Sequence, residues 1–191
     1  MHRRLILSAA LPLFLLLQAC VPVVIGGAAV GAGAAHDRRT IGAIIDDENI
    51  ELKAASRIGL DAELKKRVHV NITSFNGIVL LTGEAATTEA RDQILTHVRA
   101  ISGVRRITNE LRITEPSSYS SRSKDSLITS AVKSRFLVTR NLDPTRVKVV
   151  TEANVVYLMG LVTNEEGDLA VDRATTIEGI ERIVKVFEYI D

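Results

Sequence analysis

The stretch NGIVLLTG, residues 76–83, decides the fold of this chain because it places a hairpin signal directly before a buried strand. Asn-Gly supplies two residues that accept the left-handed turn conformation, as a two-residue hairpin requires. Before the turn Val68, Val70 and Ile72 alternate with polar residues, whereas residues 78–81 are apolar at every position. Successive side chains of a strand point to opposite faces, so an unbroken apolar run predicts burial of both faces. The stretch therefore predicts a β-hairpin with a fully buried second strand.

The same pattern returns 77 residues later as ANVVYLMG, residues 153–160, so the chain contains a tandem repeat. Other residues superpose at this spacing, namely Val70 on Val147, Ile72 on Val149 and Ala54 on Ala131. Gly-Val-x-x-Ile at residues 103–107 also matches Gly-Ile-x-x-Ile at residues 179–183, after a one-residue deletion. A Pro/Ser-rich linker is expected between the copies. The predicted boundaries are a first domain at 46–114, a linker at 115–121 and a second domain at 122–191.

Each copy also contains two helical patterns and a closing strand. In copy one, apolar residues at helical spacing run from Ile50 to Ile58 and from Ala90 to Ile101, and copy two repeats both patterns. Asp46-Asp47, and Asp125 in copy two, are interpreted as caps at the start of the first helix, where acidic side chains favour the helix dipole. Closing strands are expected at Ile107 to Ile113 and at Ile183 to Ile190. The predicted order in each copy is α-β-β-α-β.

This order and these residues resemble the BON domain, a small periplasmic and membrane-associated module. Copy one has the family signature as GIVLLTG at residues 77–83 and GVRRITNEL at residues 103–111. Copy two has Asn154 in place of the first glycine and Ile180 in place of valine, and Asn tolerates the same turn geometry. The resemblance implies an α+β fold in which two helices cover one face of a three-stranded mixed sheet.

Such a fold leaves the other face of each sheet open. Side chains of Val79, Leu81, Val156 and Leu158 are expected to face the helices, so the alternate residues need another cover. These are Ile78, Leu80, Val155, Tyr157 and Met159. Two solutions fit the pattern: the sheets of one chain pack back to back, which we favour, or a second molecule covers the same face. Domains this small also gain stability from such pairing.

The N-terminal region predicts export and lipid attachment. Residues 1–19 combine Arg3 and Arg4, a short apolar run and small or polar residues before a cut, as in a secretory signal. The single cysteine, Cys20, follows Leu-Gln-Ala and resembles the cysteine of a bacterial lipobox, which becomes the acylated first residue. Residues 20–45 begin with a Gly/Ala-rich run and are interpreted as a tether. Val21 is not the Asp associated with inner-membrane retention, so we expect a lipid anchor in the inner leaflet of the outer membrane, facing the periplasm.

Composition excludes several classes of partner and cofactor. Without residues 1–19 the chain has 22 basic and 23 acidic residues, because the signal contains two arginines. This balance argues against binding to nucleic acid, which usually requires a basic surface. Aromatic residues make up 4% and Trp is absent, so stacking platforms are not expected. With its cysteine acylated, the protein is expected to have no disulfide, no thiolate metal site and no cofactor other than the acyl lipid on Cys20.

The sequence also predicts no catalytic site and no metal site. The histidines left after signal removal, His36, His69 and His97, have no ligand spacing. No serine lies in the context of a nucleophile elbow, and the acidic cluster at residues 46–48 is explained by helix capping. We therefore predict a protein that is not an enzyme.

One local charge bias predicts a binding surface. The first helix of copy two is basic and the second is acidic, with Glu165, Glu166, Asp168, Asp172 and Glu178. A basic helix with apolar neighbours can lie on an anionic lipid surface, although it can equally be an ordinary solvated face. The resemblance to the BON family implies anionic phospholipid binding through this helix, a role in envelope integrity and a place at division sites. The candidate phospholipid-binding residues are Leu127, Ile128, Lys133, Arg135 and Arg140. Leu127 stands where relatives can have Trp, and a protein–protein adaptor for envelope assembly proteins remains the alternative.

Overall fold

The computed structural model describes residues 37–115 and 119–190. Copy one contains α1 (Ile41–Leu60), α2 (Ala62–Lys66), β1 (Val68–Phe75), β2 (Ile78–Ala85), α3 (Thr88–Arg99) and β3 (Arg106–Ile113). Copy two contains α4 (Tyr119–Leu137), a 3₁₀ turn (Pro144–Arg146), β4 (Val147–Glu152), β5 (Val155–Val162), α5 (Asn164–Thr175) and β6 (Arg182–Tyr189). The predicted α-β-β-α-β order is confirmed, with the short α2 added in copy one.

The two sheets have the same topology. In the first, β2 is central, antiparallel to β1 and parallel to β3. In the second, β5 is central, antiparallel to β4 and parallel to β6. The fold class predicted from the sequence, α+β with two three-stranded mixed sheets, is therefore confirmed.

Both hairpins turn through left-handed residues. Asn76 and Gly77 have φ of 51° and 72°, and Ala153 and Asn154 have φ of 50° and 63°. Asn154 therefore occupies the left-handed conformation expected of it, and the second turn comprises Ala153 and Asn154.

The acidic residues read as helix caps have another role. Helix α1 begins earlier, at Ile41, where the Thr40 hydroxyl accepts a hydrogen bond from the amide of Ala43 at 3.1 Å. Asp47 is buried inside α1 and accepts hydrogen bonds from the turn amides of Asn76 and Gly77 at 2.7 and 2.8 Å. The capping interpretation was wrong because Asp47 satisfies the donors of a turn that is far away in sequence.

Copy two repeats this arrangement and corrects the helix register. Asp125 is buried in α4 and accepts from the amides of Ala153 and Asn154 at 3.0 and 2.8 Å. The buried residues of the two helices pair at a spacing of 78, not 77: Asp47 with Asp125, Ile50 with Ile128, Ala54 with Val132, Ile58 with Phe136. The superposition of Ala54 on Ala131 was therefore off by one, because α4 is separated from its hairpin by one residue fewer than α1 is from its own.

Three apolar clusters form the core. One lies between the helices and sheet of copy one and includes Val79 and Leu81, and its counterpart in copy two includes Val156 and Leu158. The third lies between the two sheets and consists of Phe75, Ile78, Leu80, Tyr157, Met159 and Val186. The open faces of the sheets therefore cover each other within one chain.

The segment before α1 contacts both domains. Arg38 Nη1 and Nη2 bind the carboxylate of Glu166 in α5 at 2.5 and 3.0 Å. Arg39 binds Asp47 at 2.9 Å, and its guanidinium carbon lies 3.8 Å from the centre of the Phe75 ring. Residues 37–45, the end of the predicted tether, thus belong to the folded part, and 41–45 are helical. Residues 119–121 of the predicted linker are likewise helical.

Among the described residues, no helix has the length and apolar character needed to cross a membrane.

Candidate functional site

The C-terminal half of α4 holds most of the predicted phospholipid-binding residues. Leu127 is 71% exposed, and Lys133, Arg135 and Arg140 are exposed as well. Ile128 is 6% exposed and packs in the core of copy two, so its assignment to the lipid surface is corrected. Its side chain faces inward because it lies one turn before buried Val132 on the same side of the helix.

Helical spacing places an outward ridge along α4. Residues three, four and seven apart lie on one side of a helix, and Leu127, Ser130, Ser134 and Leu137 follow that spacing. All four are exposed, and Leu137 is exposed to the same extent as Leu127. Lys133 and Arg135 lie on the two flanks of the ridge. We call these six residues the α4 ridge. The sequence analysis missed Leu137, although its ten-residue spacing from Leu127 is a helical signal.

The two cations of this ridge, and Arg140 next to it, have no acidic partner among the described residues. Within the described residues, no carboxylate forms an ion pair with Lys133, Arg135 or Arg140. Several other basic residues of copy two are paired with carboxylates, as Lys185 is with Asp168 at 3.0 Å. A cluster of unpaired cations next to exposed leucines can attract anions while the leucines enter an apolar phase.

One of the acidic residues of α5, Glu166, forms ion pairs within the protein. Glu166 binds Arg38 and, at 2.6 Å, Arg146, and it completes a capping box with Thr163. Burial favours the neutral acid, but hydrogen bonds from Arg38, from the Thr163 amide and from Arg146 outweigh it and hold the pKa of Glu166 below its usual range. Glu166 therefore helps to fix the segment before α1 to copy two.

A cavity of about 440 Å³ opens between the domains beside the C-terminal end of the α4 ridge. Its lining includes Ile44, Phe75, Lys133, Leu137, Val147 and Lys148. Lys148 is paired with Glu51 at 3.0 Å, whereas Lys133 is not paired within the part of the chain described. The carboxylates of Asp47 and Glu48 also line this cavity, so its apolar walls are bordered by charges of both signs.

The structure brings together the five residues predicted to need a second cover. Ile78, Leu80, Tyr157 and Met159 are buried in the cluster between the sheets, and Val155 packs against it. The Tyr157 hydroxyl lies 3.5 Å from Glu110 Oε2, and burial followed by the charge of Glu110 raises the pKa of Tyr157 to about 12. These residues hold the domains together.

The predicted signal peptide at residues 1–19, Cys20 and the tether up to His36 lie outside the described residues. Residues 116–118 of the predicted linker lie outside them as well.

Comparison with known families and proteins agrees with this architecture. The model of the BON domain family matches residues 46–115 and 124–191. The chain belongs to the BON domain family. The resemblance noted from the two hairpins is thereby confirmed, and both copies of the repeat are BON domains.

Two relatives extend the likeness over most of the chain. The outer membrane lipoprotein DolP of Haemophilus influenzae is 40% identical over 92% of this chain and 91% of its own length. The 21 kDa hemolysin of Actinobacillus pleuropneumoniae is 35% identical over 81% of this chain and 79% of its own. The chain is therefore homologous to an outer membrane lipoprotein over most of its length.

A solved structure gives a weaker likeness. The C-terminal domain of CdsD, a structural protein of the type III secretion system of Chlamydia trachomatis, is 13% identical and covers 73% of this chain and 96% of its own, with a TM-score of 0.31.

Proposed function

We propose that this protein is a non-catalytic outer membrane lipoprotein, held by acyl chains on Cys20 and facing the periplasm, whose second BON domain binds anionic phospholipid through the α4 ridge. The observation that supports this most strongly is the coincidence of two exposed leucines with cations that no described carboxylate neutralises. The relative from Haemophilus influenzae is named an outer membrane lipoprotein, which supports the location.

Cys20 and the α4 ridge would make different contributions to membrane binding. Each acyl methylene buried in the bilayer contributes about 0.8 kcal/mol, so several chains make the anchor effectively permanent. A cation close to an anionic surface adds only about 1 kcal/mol. The ridge is therefore too weak to anchor the protein and instead selects which lipids surround it. We further propose that this selection concentrates the protein at division sites, where it supports envelope integrity.

Vesicle sedimentation with an unacylated chain tests the proposal. The chain from residue 20 onward, with Cys20→Ser, is mixed with vesicles of phosphatidylcholine alone or with cardiolipin. We expect binding that requires cardiolipin and that falls at least about tenfold in the variant Lys133→Glu/Arg135→Glu, since reversing two charges removes more than 1.4 kcal/mol. The matched control is Lys53→Glu/Lys65→Glu, which makes the same charge change on exposed residues of copy one. Equal binding by both variants would refute a specific α4 surface.

A protein–protein adaptor is the second candidate, and one observation favours it. Ile41, Ile45 and Leu52 are all exposed and lie on one side of α1, opposite its buried residues. Such a stripe suits a partner protein rather than an anionic lipid, because acidic residues lie beside it. The variant Ile45→Glu/Leu52→Glu separates the two functions: it should leave cardiolipin binding unchanged and abolish site-specific crosslinks to envelope assembly proteins in cells.

A further inference from the structure

Three ligand-type side chains from both domains meet at the interdomain interface. His69 on β1 and Glu84 on β2 are direct cross-strand partners in the first sheet. Glu152 ends β4 of the second domain and approaches them from the opposite side. One ligand atom from each of the three side chains lies within 4.8 Å of the others. The packing of the two sheets thus assembles a cluster whose members are up to 83 residues apart.

The cluster is buried and has an unsatisfied member. The side chain of Glu84 is completely buried, and Glu152 is 8% exposed. His69 Nε2 is itself buried and has no hydrogen-bond partner among the described residues. Because a buried polar atom without a partner costs about 1–3 kcal/mol, such an atom in a native fold calls for an explanation.

The electrostatics of the cluster favour a cation. Burial, and then the neighbouring charges of Glu84 and Asp125, raise the pKa of Glu152, although the Asn71 amide and His69 act in the opposite direction. Arg112 forms an ion pair with Glu84 from the other side. The carboxylates of Glu84, Glu152 and Asp125 therefore repel one another here, and a divalent ion would offset that repulsion.

We infer that His69, Glu84 and Glu152 form a binding site for a divalent transition-metal ion, with zinc the best match, that joins the two BON domains. One imidazole and two carboxylates are the nitrogen and oxygen ligands that zinc accepts, and the imidazole disfavours calcium and magnesium, which prefer oxygen ligands throughout. The inference concerns the joint between the domains and does not depend on lipid binding by α4.

The surroundings of the cluster suit a metal site. Zinc holds its nitrogen and oxygen ligands at about 2.0–2.2 Å, so ligand atoms lie about 3.5 Å apart and the three groups need to close by only about 1 Å. Asn71 Nδ2 donates to Glu152 Oε2 at 2.5 Å, and Arg112 donates to Glu84 Oε1, so both carboxylates are held in a fixed orientation.

An adjacent cavity gives access. A space of about 420 Å³, lined by His69, Asn71, Asp125, Thr129 and Glu152, leads to the cluster. It is polar and large enough to admit an ion and a water molecule as the fourth ligand. The sequence predicted no metal site from histidine spacing, but that argument considers neighbours along the chain and not residues joined by domain packing.

Zinc titration of the untagged chain from residue 20 with Cys20→Ser tests the inference. Calorimetry, with a chromophoric chelator as competitor, should give one zinc per chain, and zinc should raise the melting temperature. His69→Gln and Glu152→Gln should each weaken zinc binding at least about tenfold and remove the thermal shift, while circular dichroism shows both variants folded. The matched control, His97→Gln/Glu178→Gln, should bind zinc as the parent chain does.

The outcomes decide the matter in either direction. Loss of binding in a ligand variant that circular dichroism shows to be folded, with the control unchanged, supports the site, and one such folded variant is sufficient. Absence of stoichiometric zinc binding by the folded parent chain, or one-to-one binding that survives His69→Gln, would overturn it. Tighter binding of calcium than of zinc would also overturn it, since an imidazole ligand predicts the reverse order.

Discussion

The two exposed leucines of the α4 ridge give a prediction that separates membrane binding from folding. Leu127→Ser and Leu137→Ser remove apolar surface that the folded protein leaves in water. Full burial of a leucine side chain contributes about 1.5–3 kcal/mol. Since 71% of each side chain is exposed, entry into the bilayer would bury most of it and contribute about 1–2 kcal/mol.

This energy translates into a measurable change in partitioning. Each single substitution should weaken binding to cardiolipin vesicles by about 5- to 30-fold, because 1.4 kcal/mol is a factor of ten. The free energy of unfolding should change by no more than about 0.5 kcal/mol, since neither residue contributes to the core. Leu127→Trp should act in the opposite direction, because Trp favours the membrane interface.

Sedimentation with sucrose-loaded vesicles measures the partitioning, and urea denaturation measures stability. Leu52→Ser is the matched control, because Leu52 is 68% exposed on the corresponding helix of copy one. If Leu127→Ser and Leu137→Ser bind cardiolipin vesicles as tightly as the control does, the leucines do not enter the bilayer and the reasoning fails.

Three further predictions concern the fold and are measured by urea denaturation. Asp47→Asn should lower the free energy of unfolding by about 1.5–3 kcal/mol at pH 7, because the carboxylate bonds to the Gly77 amide among others. Burial opposes ionisation of Asp47, but those hydrogen bonds outweigh it and lower the pKa of Asp47. The stability that the carboxylate contributes is therefore present above the unfolded pKa of 3.8 and is lost as pH falls through the folded pKa. A difference in unfolding free energy between the parent chain and Asp47→Asn that persists at pH 2 would contradict this. Ala153→Gly should raise stability by about 1 kcal/mol, since Ala153 has φ of 50°, and a decrease would contradict it. Met159→Ala should lower the free energy of unfolding by about 2–5 kcal/mol, whereas Leu60→Ala, at an exposed residue, should change it very little. Equal effects of the two substitutions would show that the interdomain cluster does not stabilise the fold.

Local signals predicted the fold well because they depend on neighbours in sequence. The Asn76-Gly77 turn and the alternation before it specify a hairpin, and the unbroken apolar run after it requires a second sheet to cover it. The role of Asp47 was misread because its partners lie about thirty residues away, and a surface cap and a buried acceptor have the same local sequence. Helix α1 extends back to Ile41 because Thr40 supplies the cap that the sequence analysis sought at Asp46.

The candidate sites likewise differ in whether they depend on neighbours in sequence or on contacts between distant residues. Exposure of Leu127, Lys133 and Arg135 follows from helical spacing, and only the register error concealed that Ile128 is a core residue. The cluster of His69, Glu84 and Glu152 could not be found in this way. Its assembly depends on which faces of the two sheets meet, and neither copy contains the complete ligand set.

The corrected register also explains why lipid binding should belong to the second domain. Since buried residues of α1 and α4 correspond at a spacing of 78, each residue of the α4 ridge has a defined counterpart on α1. The counterparts of Leu127, Ser130, Ser134 and Leu137 in copy one are Asn49, Leu52, Ser56 and Gly59, in that order. Lys133 corresponds to Ala55. Arg57 corresponds to Arg135, but its guanidinium donates to the carbonyl of His97 at 2.9 Å. Copy one thus keeps neither leucine, has a leucine only at the position of Ser130, and has no cation that is left for an anionic lipid along this ridge. The same backbone therefore presents two chemically different surfaces.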